Sequence, residues 1–336
     1  MVGFRGLEVH QDSPIIRDIR NGRVGGVILF DYDLARKSPV RNIQSPSQLK
    51  SLTTSLQSAS TDTLLIAVDQ EGGKVTRLKK KYGFPPSVSP AWLGEHNNLE
   101  LTREHASRTA ATLAKMGINV NLAPVVDVNV NPDNPVIGRL ERSFSPDPQI
   151  VARHGAEVIK AHRKQNILCA PKHFPGHGSS TQDSHQGFTD ISKTWTEREL
   201  IPYALLFQNP GVNMLMTAHV FNANLDPKWP ATLSSKVLNH LLRREMGYQG
   251  IIISDDMQMG AIRDEYSLET ALKRTILAGT DIIIFGNNLV YEPDIALKCS
   301  ETIRDLVRQG HIPAWRIQKS WERIMRLKDA LKKGSL

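Results

Sequence analysis

Gly250-Ile251-Ile252-Ile253-Ser254-Asp255-Asp256 is the run of residues that decides the fold. Three consecutive isoleucines leave no polar face. An apolar run without alternation suits a strand buried on both sides, as in a parallel sheet covered by helices. The run stops at two carboxylates, where such a strand reaches the rim of its sheet.

Seven other short runs read the same way, at residues 2–4, 26–30, 64–68, 118–121, 167–170, 214–217 and 281–285. Helical patterns lie between them, at 47–57, 99–116, 147–165, 197–207, 234–246 and 267–278. Asp147-Pro148 supplies an N-cap followed by proline at the first helical position, and Gly117, Gly247 and Gly279 are stop signals. Strands alternating with helices predict parallel pairing by right-handed crossovers. A closed (β/α)8 TIM barrel pairs all eight strands without leaving an edge. An open doubly wound sheet is the alternative, but no Gly-x-Gly-x-x-Gly turn follows the early strands. With no repeat, low-complexity tract or linker, the expectation is a single domain over residues 1–336.

Composition narrows the class. The chain has 336 residues, of which 40% are hydrophobic, enough for a sizeable core. Its two cysteines, Cys169 and Cys299, form neither a disulfide framework nor a zinc pattern. No apolar run reaches membrane-spanning length. The net charge is +8, yet Lys79-Lys80-Lys81 and the basic amphipathic helix expected at 315–333 read as solvated faces. No nucleic-acid motif appears, so no nucleic-acid partner is expected. Met1-Val2-Gly3-Phe4 reads as if it begins inside a strand, which leaves room for a leader or a first helix. The expected compartment is the cytoplasm; a leader would redirect the chain to the periplasm or outside the cell.

In a barrel, reactive groups collect where strands end at the C-terminal rim. The runs above end in Asp69-Gln70-Glu71, Lys172-His173, Ala218-His219, Asp255-Asp256 and Gly286-Asn287, and the fourth is followed by Asp127. Asp255 and Asp256 point to opposite sides of their strand, and periodicity does not say which faces the mouth. Lys172 opens a long loop, residues 172–185, with three histidines and an aspartate. There Asp183 stands two residues before His185, close enough to orient the imidazole and raise its basicity. A carboxylate nucleophile facing an acid/base group suits retaining glycoside hydrolysis. A histidine that only fastens its loop is the other reading of His185.

Lys172-His173-Phe174-Pro175-Gly176-His177-Gly178 with Asp183-Ser184-His185 resembles the signature of family 3 glycoside hydrolases of the bacterial β-N-acetylglucosaminidase type. Gly25-Gly26-Val27-Ile28-Leu29-Phe30, Asp69-Gln70-Glu71-Gly72-Gly73, Asn121-Leu122-Ala123-Pro124, Met216-Thr217-Ala218-His219 and Ser254-Asp255-Asp256-Met257 are similar to other family segments, in order. The resemblance implies a barrel that releases terminal β-linked N-acetylglucosamine with retention, without metal or cofactor. It implies Asp255 as nucleophile and His185 as acid/base, supported by Asp183. It implies that Asp69, Arg142, Lys172 and His173 hold sugar hydroxyls. Arg142, beside Ser143-Phe144, matches better than Arg139. The implied partner is a small carbohydrate, a muropeptide from peptidoglycan recycling, with chitobiose as an alternative; the chain is expected to be a monomer.

Two rival chemistries remain open in the sequence. One is a metal-dependent hydrolase using His173, His177, His185, His219 and Asp255 as ligands, although Lys172 beside a metal would need neutralising. The other is phosphorolysis at the same site, because a histidine acid/base tolerates an anionic acceptor. A non-catalytic sugar-binding barrel is a third reading, disfavoured by the presence of both Asp255 and the Asp183/His185 pair.

Overall fold

The computed structural model describes residues 1–208 and 211–336. All eight expected strands form: β1 (Val2–Gly3), β2 (Gly26–Leu29), β3 (Leu65–Val68), β4 (Val120–Asn121), β5 (Leu168–Cys169), β6 (Met214–Met216), β7 (Ile251–Asp256) and β8 (Ile282–Ile284). They make two parallel sheets, β1 to β5 and β6 to β8, each in sequence order. Backbone bonds also run between the sheets at both edges. At one, Gly3 N–H donates to the Phe285 carbonyl at 2.9 Å and Phe285 N–H to Met1 at 3.0 Å. At the other, Phe174 N–H donates to Met216 at 2.9 Å and Met216 N–H to Pro171 at 3.0 Å.

Strand residues alternate between two destinations, which explains the unbroken apolar runs. Ile28, Leu65, Ala67, Val120, Leu168, Met214, Met216, Ile251, Ile253, Ile282 and Ile284 share one central cluster. Their neighbours Val27, Leu29, Ile66 and Val68 pack with helices on the first sheet, and Leu215 and Ile252 do so on the second.

Several ladders are shorter than the apolar runs because side chains take over their hydrogen bonds. The Asn119 amide donates to the Leu64 carbonyl at 2.8 Å and accepts from Ile66 N–H at 2.7 Å, so regular β4 begins only at Val120. At the far end of β4, the Asn121 carboxamide exchanges two bonds with the Gln70 backbone. Ser254 Oγ accepts from Ile284 N–H where β7 and β8 shift register.

The expected helices are present as α2 (Pro46–Ser58), α4 (Leu99–Lys115), α5 (Pro148–Arg163), a 3-10 turn (Glu197–Leu200) leading into α6 (Ile201–Phe207), a wide π-type helix (Lys236–Glu245) and α8 (Leu268–Ala278). Asp147 caps α5 by accepting from Gln149 N–H, as its sequence signal predicts. Four further helices are α1 (Pro14–Arg20), α3 (Pro90–His96), α7 (Gly260–Arg263) and α9 (Ile295–Arg308). Three of these are too short to show a helical period. The basic C-terminal helix α10 (Ala314–Lys333) is not only a solvated face: Leu327 and Leu331 join the central cluster. Each buried leucine contributes about 2 kcal/mol. No helix among the described residues is long and apolar enough to cross a membrane.

Candidate active site

The strand ends and the loops that follow them line a solvent-open pocket of about 1060 Å³. Asp69, Arg142, Lys172, His173, His185 and Asp255, drawn from five separate stretches of sequence, all reach it. Asp183, the remaining expected residue, lies behind His185.

The polar floor is built around Glu71, for which the sequence reading had no role. Arg142 grips Glu71 through Nε–Oε2 and Nη2–Oε1, both 2.7 Å. Lys172 Nζ lies 2.7 Å from Glu71 Oε1 and 2.8 Å from Asp69 Oδ1. Arg77 reaches Asp69 Oδ2 at 3.3 Å. Burial would raise the Glu71 carboxyl, but Arg142 and Lys172 hold it far below the usual carboxylate range. Asp69 is held down in the same way, against burial, by Lys172 and Arg77. The floor is therefore a fully charged network of fixed donors and acceptors.

His173 is anchored from beneath. Its Nδ1–H donates to Asp127 Oδ2 at 2.7 Å, leaving Nε2 to accept from Arg142 Nη2 at 3.3 Å. The other Asp127 oxygen accepts from the backbone N–H of His173 at 3.1 Å and of His177 at 2.8 Å. Asp127 is wholly buried, so this strand-end aspartate supports the site without lining it.

Asp255 and Asp256 both line the pocket, and their hydrogen bonds tell them apart. Asp256 Oδ1 accepts from Gly286 N–H at 2.8 Å and Gln258 N–H at 3.0 Å, tying β7 to the end of β8. Burial pushes its carboxyl up to about 6. Asp255 Oδ1 takes only the N–H of Asp256, at 2.8 Å. Burial raises the Asp255 carboxyl, but His173, His219, His185 and Lys172 together bring it below the ordinary value, leaving an ionised carboxylate in the pocket. A buried carboxylate kept ionised by surrounding cationic and imidazole groups is suited to act as a nucleophile.

His185 stands on the loop above. Its Nδ1 lies 2.8 Å from Asp183 Oδ1, which also accepts the His185 backbone N–H at 2.9 Å. Desolvation opposes protonation of the ring, but the Asp183 bond and the Asp255 charge outweigh it and raise its pKa. The Asp183 carboxyl is lowered to about 2, chiefly by the bond to His185. The imidazole is about half exposed. It can therefore meet a ligand and exchange protons with solvent.

His177, His219 and Asn287 are brought to the same end of the sheets but engaged elsewhere. His177 Nε2 meets Ser184 Oγ at 3.1 Å. Both ring nitrogens of His219 are occupied, by Thr232 Oγ1 at 2.8 Å and the Asp256 carbonyl at 3.0 Å. The Asn287 amide ties down the Gly3 and Glu292 carbonyls. Among the described residues, no three His, Cys, Asp or Glu side chains converge as a metal-holding group.

Residues 5–327 match the glycosyl hydrolase family 3 N terminal domain. The chain is 34% identical to beta-hexosaminidase A of Pseudoalteromonas piscicida across 93% of its own length, and spans about half, 54%, of that protein. It is 34% identical to a beta-hexosaminidase of Nitrosomonas eutropha, covering 81% of this chain and 75% of the relative. Among solved structures, a glycoside hydrolase family 3 beta-N-acetylglucosaminidase from Paenibacillus superposes with a TM-score of 0.89 at 34% identity, over 99% of this chain and 61% of that one. Beta-N-acetylhexosaminidase from Beutenbergia cavernae gives a TM-score of 0.86 at 26% identity, over 98% and 96%.

Proposed function

The chain belongs to glycosyl hydrolase family 3, and from that premise we propose that it is a retaining exo-β-N-acetylglucosaminidase. The carrying observation is the ionised Asp255 sharing one pocket with the Asp183-braced His185. The names of the relatives, beta-hexosaminidase and beta-N-acetylglucosaminidase, support the sugar class. In this reading the two sheets form one closed (β/α)8 barrel domain. Support comes from the backbone bonds at both seams and from a central cluster fed by strands of each sheet.

In the first step an Asp255 oxygen forms a bond to the anomeric carbon while the glycosidic C–O bond breaks. Protonated His185 delivers its Nε2 proton to the departing oxygen, and Asp183 stabilises the imidazolium beforehand through Nδ1–H. In the second step neutral His185 removes a proton from water, the water oxygen bonds to the anomeric carbon, and Asp255 leaves as carboxylate. Lys172, Arg142, His173 and Asp69 bind hydroxyls of the terminal sugar. The preferred substrates are muropeptide fragments carrying a terminal N-acetylglucosamine; the net charge of +8 is compatible with their carboxylates.

The direct test is hydrolysis of a chromogenic β-N-acetylglucosaminide beside the matching β-glucoside, with and without phosphate and with a chelator. Preference for the acetamido sugar, no dependence on phosphate and survival in chelator are expected. Turnover only of the glucoside would refute the sugar assignment. Turnover requiring phosphate would make the enzyme a phosphorylase, and loss in chelator would restore the metal reading.

A further inference from the structure

We propose that Glu199, a residue that does not reach the substrate pocket, is a positioning residue that fixes the base of the His185 loop. The proposal rests on the glycosidase reading above, because it assigns Glu199 an effect through His185. Glu199 lies in the 3-10 turn before α6 and is completely buried. Its Oε2 accepts the N–H of Gly178 at 2.9 Å. Two residues earlier, Gly176 (φ +123°) packs so tightly on the same side chain that a Cβ there would stand 2.6 Å from Glu199 Cβ. From the opposite side, a Cβ on Gly178 would meet the Val128 carbonyl oxygen at 1.7 Å. The loop base is thus clamped between the segment after β4 and one buried carboxyl.

The clamp is connected to the acid/base. Asp127 holds the His177 N–H, and the His177 ring reaches Ser184, the residue before His185. The other arm of the loop is fastened to the start of α7, where Gly260 N–H donates to the His185 carbonyl at 3.1 Å and Ala261 N–H to Ser184 at 3.2 Å. His185 therefore hangs between α7 and the His177 contact, and the height of the His177 end is set at Gly178. Packing alone does not require a carboxyl at position 199. Burial, with the Asp127 charge, lifts this carboxyl to about 7, so it disfavours folding at neutral pH compared with an uncharged side chain. What a side-chain oxygen adds is an acceptor for the Gly178 amide.

Glu199→Met keeps the volume and removes the acceptor; Glu199→Gln keeps an acceptor oxygen. Both are compared with wild type on chitobiose, whose poor leaving group needs an acid, and on a 2,4-dinitrophenyl β-N-acetylglucosaminide, which does not. The Met variant should lose about tenfold or more in kcat/KM on chitobiose and less than about threefold on the activated substrate, since a small misplacement of a catalytic group has large effects. The Gln variant should stay within about threefold of wild type on both. Equal losses on the two substrates, or no loss on chitobiose, overturns the proposal. Hydrogen exchange on the wild-type protein covers the case in which the Met variant does not fold. The Gly178 amide should exchange as slowly as that of His177, and fast exchange at Gly178 overturns the anchor. Wild type that cleaves neither substrate refutes the glycosidase reading, while the exchange result still judges the anchor.

Discussion

Arg142 and Glu71 lie 71 positions apart and meet in a bidentate pair, two parallel bonds of 2.7 Å, beneath the pocket. Lys172 shares the same carboxylate and also reaches Asp69, so Glu71 bridges two buried cations that the two carboxylates balance together. Removing one member of a buried ionic set leaves uncompensated charge, at a cost of about 3–5 kcal/mol. Glu71→Ala should therefore lower the unfolding free energy by that amount in urea titration and depress activity as well. A loss below about 1 kcal/mol, the level of an exposed pair, would mean that the network does not organise the floor.

Asp255 and Asp256 are adjacent but should respond differently to loss of charge. Asp255→Ala should abolish turnover, and a slow 2-fluoro or 5-fluoro sugar should label Asp255 by mass spectrometry. Asp256→Asn keeps an acceptor for Gly286 and Gln258, so it should retain activity within about tenfold of wild type, the scale of one hydrogen bond's rearrangement. A sugar adduct on Asp256 would reverse the assignment.

The pH profile follows from the signs of two shifts. The acid role needs protonated His185, whose pKa is raised above 6.5, so kcat/KM on chitobiose should fall only above that value. Asp255 must be ionised and its pKa is below 3.8, so it sets no acidic limb near neutrality. Asp183→Asn removes the largest interaction raising His185 and should move the basic limb to lower pH. An unmoved limb would show that another group controls it. His185→Ala should slow chitobiose cleavage by about 10²-fold or more while a good leaving group restores the first step.

Glu199 links pH to stability. Its folded value of about 7 exceeds the ordinary 4.5, so its contribution is fully present below 4.5 and is lost as pH rises through 7. Relative to wild type, Glu199→Gln should gain up to about 3 kcal/mol at pH 8 and nothing near pH 4. Calorimetry of the pair at both pH values tests this, and an unchanged difference would place the carboxyl in contact with solvent.

Much of the site is legible because its residues announce themselves locally. Asp183 and His185 are two positions apart on one loop, and Lys172-His173 and Asp255 end apolar strands. Glu71 was visible as a residue after β3, but its task comes from Lys172 and Arg142, which the chain supplies far downstream. Asp127 stood out as a strand-end carboxylate, yet only its contact with His173 makes it a support and not a pocket residue. Glu199 falls within the helical pattern at 197–207, and nothing local marks it as the acceptor on which the loop base rests.

By itself, then, the order of residues determined eight parallel strands, their alternation with most of the helices, and the rim at which polar groups gather. Those features depend on periodicity and on neighbours within a few positions. Which aspartate is tied to the end of β8, which carboxylates balance the buried cations, and what holds the histidine loop in place were decided only by tertiary structure. A side chain's charge state and partners are set by burial and by groups distant in the chain, and no local pattern encodes those distances.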